Sequence, residues 1–252
     1  EIADDKVIGT PAAMSEAVGA FIERNPGKDV AEEAELLLAS VYKKQGDYKS
    51  AMVILLRLVY QQPDSKRAVK AQSELLELGG KLLSSKLRPA LGAIIKGAEA
   101  RERGERLAVL LQRIVDDLGE ALYEPTVQEF RRFQSRFPDY PKLDAIQWSL
   151  AQLHKKAVKY PEAVIALNLL MKRYPDSEFV PKALLALGDI YIDGLREYKK
   201  ATDVFQELVE KYPKDPQALP ALQKSSLLFS DYLKQYELSV QMDEKIVATW
   251  PK

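Results

Sequence analysis

Few side chains in this sequence could do chemistry, and their types already exclude several reactions. The sequence contains no cysteine and one histidine, His154. Disulfides, thiolate metal sites, a cysteine nucleophile and metal sites built on two histidines are therefore excluded. A serine–histidine–carboxylate site stays formally possible, but no nucleophile elbow, phosphate-binding loop or dinucleotide fingerprint is present. The sequence predicts no enzyme, no catalytic residue, no cofactor and no metal.

The charge balance gives no support to nucleic acid as a partner. Lysine and arginine total 37, and aspartate and glutamate also total 37, so no global positive field exists. No stretch approaches the roughly 18 apolar residues of a membrane span, and no signal peptide is recognisable. Because the first residue is glutamate, we expect a processed form or a fragment of a longer protein.

The elements that would position any site are revealed by an internal repeat. Two residue types keep one period of 37 to 38 residues, with one poorly marked copy that doubles an interval to 75. The prolines of this series are Pro26, Pro63, Pro138, Pro175, Pro213 and Pro251. The tyrosines are Tyr48, Tyr123, Tyr160, Tyr198 and Tyr236.

Each period predicts two helices. Leu184, Leu187 and Tyr191 form one apolar stripe at helical spacing, and a second helix is expected over about 197–211. Pro213 cannot continue that helix, so it marks the boundary. Small residues recur where two helices would cross closely, and a large apolar residue follows four positions later. These small residues are Ala51, Thr126, Ala163, Ala201 and Ser239 on the second helix, with Gly188 on the first.

The motif Leu184-x2-Leu187-Gly188-x2-Tyr191, followed by Ala201-x3-Phe205 and Pro213, resembles the tetratricopeptide repeat. His154 takes the place of Tyr191 in an equivalent repeat, which favours a structural role for this histidine. The resemblance implies an all-α, right-handed α-solenoid of antiparallel helix pairs with six to seven repeats. The segment RYPDSEFVPKALLALGDIY is further similar to a bacterial envelope subset, namely the lipoprotein of outer-membrane protein assembly and the Tol–Pal-associated protein. That likeness favours the periplasm or cell envelope.

We expect one array over residues 1–252, made of a tail (1–9), repeats (10–78), a degenerate repeat or bend (79–105) and further repeats (106–252). The second helix of the degenerate repeat is expected near 88–99. Both ends lack the polar capping helix of a solenoid, so we expect the parent protein to continue, or copies to associate through these ends.

The resemblance also implies which residues would line a binding groove, because the first helices of such repeats form the concave surface. Trp148, Gln152 and Lys155 share one helix face, and Trp148 has the composition of a binding hot spot. The alternative is that Trp148 packs against the neighbouring repeat. The pairs at 43–44 and 155–156 could clamp an acidic peptide, although complementing a helix dipole is the reading we favour. The predicted partner-binding residues are Lys43, Lys44, Trp148, Gln152, Lys155, Lys156 and Asp189.

The sequence therefore predicts a non-catalytic scaffold that binds a protein or peptide on a largely preformed surface. Two alternatives stay open, namely a self-assembling structural protein and an accessory domain of a longer multidomain protein.

Overall fold

The computed structural model describes residues 11–25, 29–97 and 103–249. Those residues contain thirteen α-helices and no strand. The helices are α1 (Pro11–Arg24), α2 (Asp29–Lys44), α3 (Tyr48–Gln61), α4 (Lys66–Leu82), α5 (Arg88–Lys96), α6 (Arg103–Asp117), α7 (Tyr123–Arg136), α8 (Leu143–Lys156), α9 (Tyr160–Arg173), α10 (Val180–Asp189), α11 (Tyr198–Lys211), α12 (Ala218–Leu227) and α13 (Tyr236–Thr249).

Neighbouring helices pack as antiparallel pairs, which confirms the predicted all-α fold class. The pairs α2–α3, α8–α9, α10–α11 and α12–α13 each consist of what we call a first and a second helix. The chain divides into two compact units, residues 1–141 and residues 142–252. The single array remains a prediction, and the predicted tail over 1–9 lies outside the described residues. The helix expected near 88–99 is α5, which ends at Lys96.

A π-helical turn explains why the period changes from 37 to 38 residues. Ile190–Gly194 and Leu228–Tyr232 continue α10 and α12 as π helix. In the first of them the Leu195 amide donates to the Ile190 carbonyl, five residues earlier, at 3.0 Å. The second helices on either side of each π turn begin 38 residues apart, whereas α7 and α9, separated by the regular α8, begin 37 apart. One inserted residue is thus absorbed inside the first helix.

The turn inside a pair repeats a left-handed backbone position. Gly46 has φ 79°, Val158 has φ 58°, and Arg196 and Lys234 both have φ 55°. This conformation reverses the chain over few residues, and glycine adopts it without steric cost. Valine is poorly suited to it, because its branched Cβ crowds the adjacent carbonyl. Val158 is 64% exposed, so burial does not offset this strain.

We expect Val158→Gly to stabilise the protein by about 0.5–1 kcal/mol, since relief of left-handed strain outweighs the added freedom of the unfolded chain. The reverse change, Gly46→Val, is expected to cost about 1–2 kcal/mol. Gly46 is a suitable control because, apart from its two neighbours in the chain, no residue comes within 4 Å of a Cβ built there. Urea denaturation of both variants measures the effects. A loss of stability in Val158→Gly would contradict the strain.

In the second unit, small residues let the helices approach, as the sequence predicts. Ala151, Ala163 and Ala201 are at most 1% exposed and belong to one apolar cluster. A Cβ on Gly188 would lie 2.1 Å from Cε1 of Phe205, whose side chain is fully buried. The backbone of α10 therefore touches the aromatic ring of α11 directly.

In the first unit, α3 is buried on every side. All residues from Ala51 to Gln61 are buried, because α6 and α7 pack on α3 in addition to α2 and α4. Its sequence AMVILLRLVY is apolar all round, which is typical of a helix without a solvent face. The helices α6 and α7 thus cover the side of α3 that α2 and α4 leave open.

Arg57 lies at the centre of that buried helix and joins three helices through ion pairs. Its Nη1 is 2.6 Å from Oε2 of Glu129 on α7, and its Nε is 3.3 Å from Oε1 of Glu35 on α2. Burial lowers the pKa of Arg57, but the two carboxylates raise it by more, so the net pKa lies above its ordinary value. Arg132 adds a third contact, 3.3 Å from the same oxygen of Glu129. The charges hold the two outer helices onto α3.

Candidate functional site

A row of alternating charges crosses the three first helices of the second unit. Asp189 of α10 lies between two lysines, with its Oδ2 3.8 Å from Nζ of Lys155 on α8. Its Oδ1 accepts a hydrogen bond from Lys224 on α12. All three side chains are partly exposed, with side-chain exposures of 36%, 20% and 39% for Lys155, Asp189 and Lys224. Charges on three consecutive first helices therefore lie on one accessible surface.

An aromatic pair lies on the same first helices. The ring of Trp148 on α8 stacks on that of Phe179, just before α10, with centroids 5.8 Å apart and planes 21° from parallel. Nζ of Lys182 lies 4.9 Å from the centroid of Phe179. Trp148 and Phe179 are both half-buried, so each ring also supports the apolar cluster beneath. Trp148 therefore packs against Phe179 of the neighbouring repeat, as the alternative prediction stated, and it remains partly exposed.

The other residues predicted on α8 flank this row. Gln152 is half-buried one turn from Trp148, and Lys156 is exposed next to Lys155. Both lysines lie in the last turn of α8, where positive charge complements the helix dipole. Lys155 also reaches the next first helix, which the sequence did not predict.

The predicted residues Lys43 and Lys44 lie in the first unit. Nζ of Lys43 is 2.5 Å from Oε2 of Glu74 on α4, and Lys44 is exposed. A pocket of about 240 Å³ opens beside this ion pair, lined by Lys43, Tyr48, Glu74, Glu77, Leu78, Lys81 and Leu82. Its lysines and glutamates are equal in number, so its rim has no net charge to attract an acidic peptide.

A second ion pair lines the same pocket. Nζ of Lys81 is 2.5 Å from Oε1 of Glu77. Their hydrogen bond and charge attraction raise the pKa of Lys81 and lower that of Glu77. Both groups are thus fully charged at neutral pH.

Sequence reasoning missed four residues of the surface in the second unit, namely Phe179, Lys182, Lys224 and Leu227. Leu227 is 59% exposed and stands 38 residues after Asp189, so the repeat register alone could have indicated it. Lys224 could not be found in this way, because it contacts Asp189 from a different repeat position. We call the first-helix surface the set Trp148, Gln152, Lys155, Phe179, Lys182, Asp189, Lys224 and Leu227.

The histidine and the acidic side chains of the described residues form no metal site. His154 is 8% exposed and lies on the first helix α8, as the repeat register predicts. Across residues 11–25, 29–97 and 103–249, no group of three histidine, aspartate or glutamate side chains could hold a metal ion. In the same ranges no helix has the length and apolar character needed to cross a membrane.

Comparison with known proteins agrees with the repeat motif at two places. Residues 33–65 and 182–215 match the family model "Tetratricopeptide repeat". The first segment covers most of α2 and all of α3, and the second covers most of α10 and all of α11. One helix pair in each unit is therefore similar to a tetratricopeptide repeat. Repeats of this family generally mediate protein–protein interaction and are generally non-catalytic.

Solved structures also resemble the chain, whereas no curated protein matches it. One is a crystal structure of a tetratricopeptide repeat protein from Parabacteroides merdae, with 13% sequence identity and a TM-score of 0.41. The match covers 95% of this chain and 87% of that chain.

Proposed function

We propose that this protein is a non-catalytic scaffold whose first-helix surface in the second unit binds a partner protein or peptide. The observation that carries the proposal is the row Lys155–Asp189–Lys224, which places alternating charges on three consecutive first helices. Helices ordered by their own core lose little entropy when a ligand binds, so such a surface is well preorganised.

The chemistry of this surface favours a segment that offers both apolar and charged groups. Leu227 is exposed and Trp148 and Phe179 are half-buried, and aromatic residues often dominate binding energy. The ammonium groups of Lys155 and Lys224 each lie close to one oxygen of Asp189. Each ammonium group has three N–H donors, so donors are left for a carboxylate or a carbonyl of the partner. An extended peptide or a helix that crosses the three first helices would meet all of these groups.

The likeness of residues 173–191 to envelope repeat proteins supports proposing that the chain is part of a larger bacterial envelope protein. The full-length coding sequence would test this by revealing a signal peptide, a lipidation motif or a further domain. Self-association is the alternative role, and sedimentation at several protein concentrations distinguishes it from a monomeric scaffold.

Charge reversal should distinguish binding at the first-helix surface from binding elsewhere on the second unit. Peptides selected on the full chain by phage display are expected to bind Lys155→Glu/Lys224→Glu about tenfold more weakly or worse, because both cations of the row are lost. The matched control is Lys199→Glu/Lys211→Glu, which makes the same charge change on exposed lysines of α11. Fluorescence anisotropy measures binding, and circular dichroism checks folding. Equal affinity of the two double variants for every selected peptide would overturn the proposal.

A further inference from the structure

A groove between α6 and α7 in the first unit brings two arginines together beside one carboxylate. Glu129 supplies the carboxylate, but its Oε2 is already 2.6 Å from Nη1 of Arg57 and 3.3 Å from Nη1 of Arg132. Arg136, one turn after Arg132 on α7, lines the same groove. Its Nη2 is buried, and no atom of the described residues accepts a hydrogen bond from it. The groove therefore contains a guanidinium with an unused donor.

The positive charge around this groove exceeds the negative charge. The charged groups that act on Arg136 are Glu35, Arg57, Glu129 and Arg132. Together with Arg136 itself they make three guanidiniums and two carboxylates, so one positive charge is left over. Burial lowers the pKa of Arg136 below its ordinary value, and the two neighbouring guanidiniums act in the same direction, whereas the two carboxylates oppose them. A third carboxylate would make this group of charges neutral and would favour the charged form of Arg136.

The size and lining of the groove favour one kind of anion. Its volume is about 10 Å³, which is room for about one water-sized atom. The apolar lining includes Leu110 and Phe133, which are at most 3% exposed, and the half-buried Phe137. A side-chain carboxylate fits these limits, because it places one oxygen in a narrow space at the end of an apolar stem. A phosphate group fits them less well, since its charged oxygens point in several directions and some would face apolar side chains.

We propose that this groove, which we call the arginine groove, binds the side-chain carboxylate of a glutamate or aspartate in a partner protein. Arg136 would donate hydrogen bonds to that carboxylate, and Arg132 would add its charge from the preceding turn of α7. Charge complementarity selects this occupant, because the groups around Arg136 have one positive charge in excess. The arginine groove lies in the first unit and shares no residue with the first-helix surface, so either proposal can fail without the other.

Seven-residue peptides with a fixed central glutamate, displayed on phage, test the arginine groove. They are selected in parallel on the full chain and on its Arg136→Met variant, and peptides that enrich only on the parent chain are synthesised for fluorescence anisotropy. We expect glutamine at the centre of these peptides to weaken binding to the parent chain about tenfold and to change little on Arg136→Met. Arg131→Met is the matched control, since Arg131 is an exposed arginine of the same helix, and it should bind like the parent chain.

Urea denaturation distinguishes a binding role of Arg136 from a structural one. A guanidinium whose charge is disfavoured by burial does not stabilise the fold, so Arg136→Met should keep or raise the urea midpoint of the parent chain although it no longer binds the peptide. A clearly lower midpoint, a glutamine exchange without effect, or the absence of any peptide that enriches only on the parent chain would overturn the proposal.

Inorganic phosphate alone is the probe for the other source of an anion. Phosphate that raises the urea midpoint of the parent chain but not that of Arg136→Met would show that a free anion occupies the arginine groove, and would also overturn the proposal. We expect phosphate to give the two chains the same shift.

Discussion

Replacing Arg57 by methionine is expected to lower the free energy of unfolding by about 3–5 kcal/mol, the largest effect of any single change we predict. The guanidinium is 1% exposed and joins Glu35 and Glu129, which are 1% and 6% exposed. Methionine fills much of the volume but leaves two buried carboxylates without their shared cation. The loss of stability is therefore electrostatic. Urea denaturation of the full chain measures it as a change in the free energy of unfolding.

Neutralising the carboxylates separates charge from packing. The triple variant Arg57→Met/Glu35→Gln/Glu129→Gln should recover much of the loss, because no buried charge is left uncompensated. The matched single control is Arg132→Met, whose side chain is 27% exposed and whose ion pair with Glu129 is expected to contribute only about 0–1 kcal/mol. A triple variant no more stable than Arg57→Met would show that the arginine stabilises α3 by packing rather than by charge.

Gly188→Ala is expected to destabilise the protein by about 1–3 kcal/mol, although alanine is the better helix former. The new methyl group would lie 2.1 Å from Cε1 and 2.5 Å from Cζ of Phe205. The ring is fully buried and cannot move aside without displacing the core of the second unit. Thermal and urea denaturation both measure the loss.

Two variants test the steric cause. Gly80→Ala is the control, because Gly80 is an exposed residue inside α4 with no atom within 4 Å of an added Cβ. That change should stabilise by about 0.5–1 kcal/mol through helix propensity alone. Phe205→Leu shortens the clashing side chain, so Gly188→Ala/Phe205→Leu should cost less than the sum of its single changes. Additive losses would indicate that the two residues do not compete for the same space.

The repeat pattern was sufficient for the helix pairs because each pair is specified locally. The stripe around Leu184 and Leu187 places a first helix, Pro213 bounds the second, and the second helix expected over 197–211 is found over Tyr198–Lys211. Likewise, apolar residues at helical spacing along α6 and just after it are all buried, namely Leu107, Leu110, Leu111, Ile114 and Leu118. Helical periodicity is a property of consecutive residues, so one sequence is enough to detect it.

The repeat pattern does not predict contacts between distant repeats. The burial of α3 depends on α6 and α7, which lie some 40 to 90 residues later in the chain. Glu129 lies 72 residues from Arg57, and nothing in the sequence indicates that these two residues form an ion pair. The apolar run of α3 is typical of a fully buried helix, but it does not indicate which helices cover it.

The candidate site, too, was predicted only in part from the sequence. The sequence by itself determined that the chain is a series of α-helical pairs with small residues at their crossings, and it placed Trp148, Lys155 and Asp189 on first helices. Only the tertiary structure decided that Lys155 and Lys224 meet at Asp189, that Phe179 lies under Trp148, and that Lys43 belongs to another unit. The physical reason is that periodicity fixes the direction of a side chain from its own helix, whereas ion pairs and stacking depend on how far neighbouring helices shift and rotate as their cores pack.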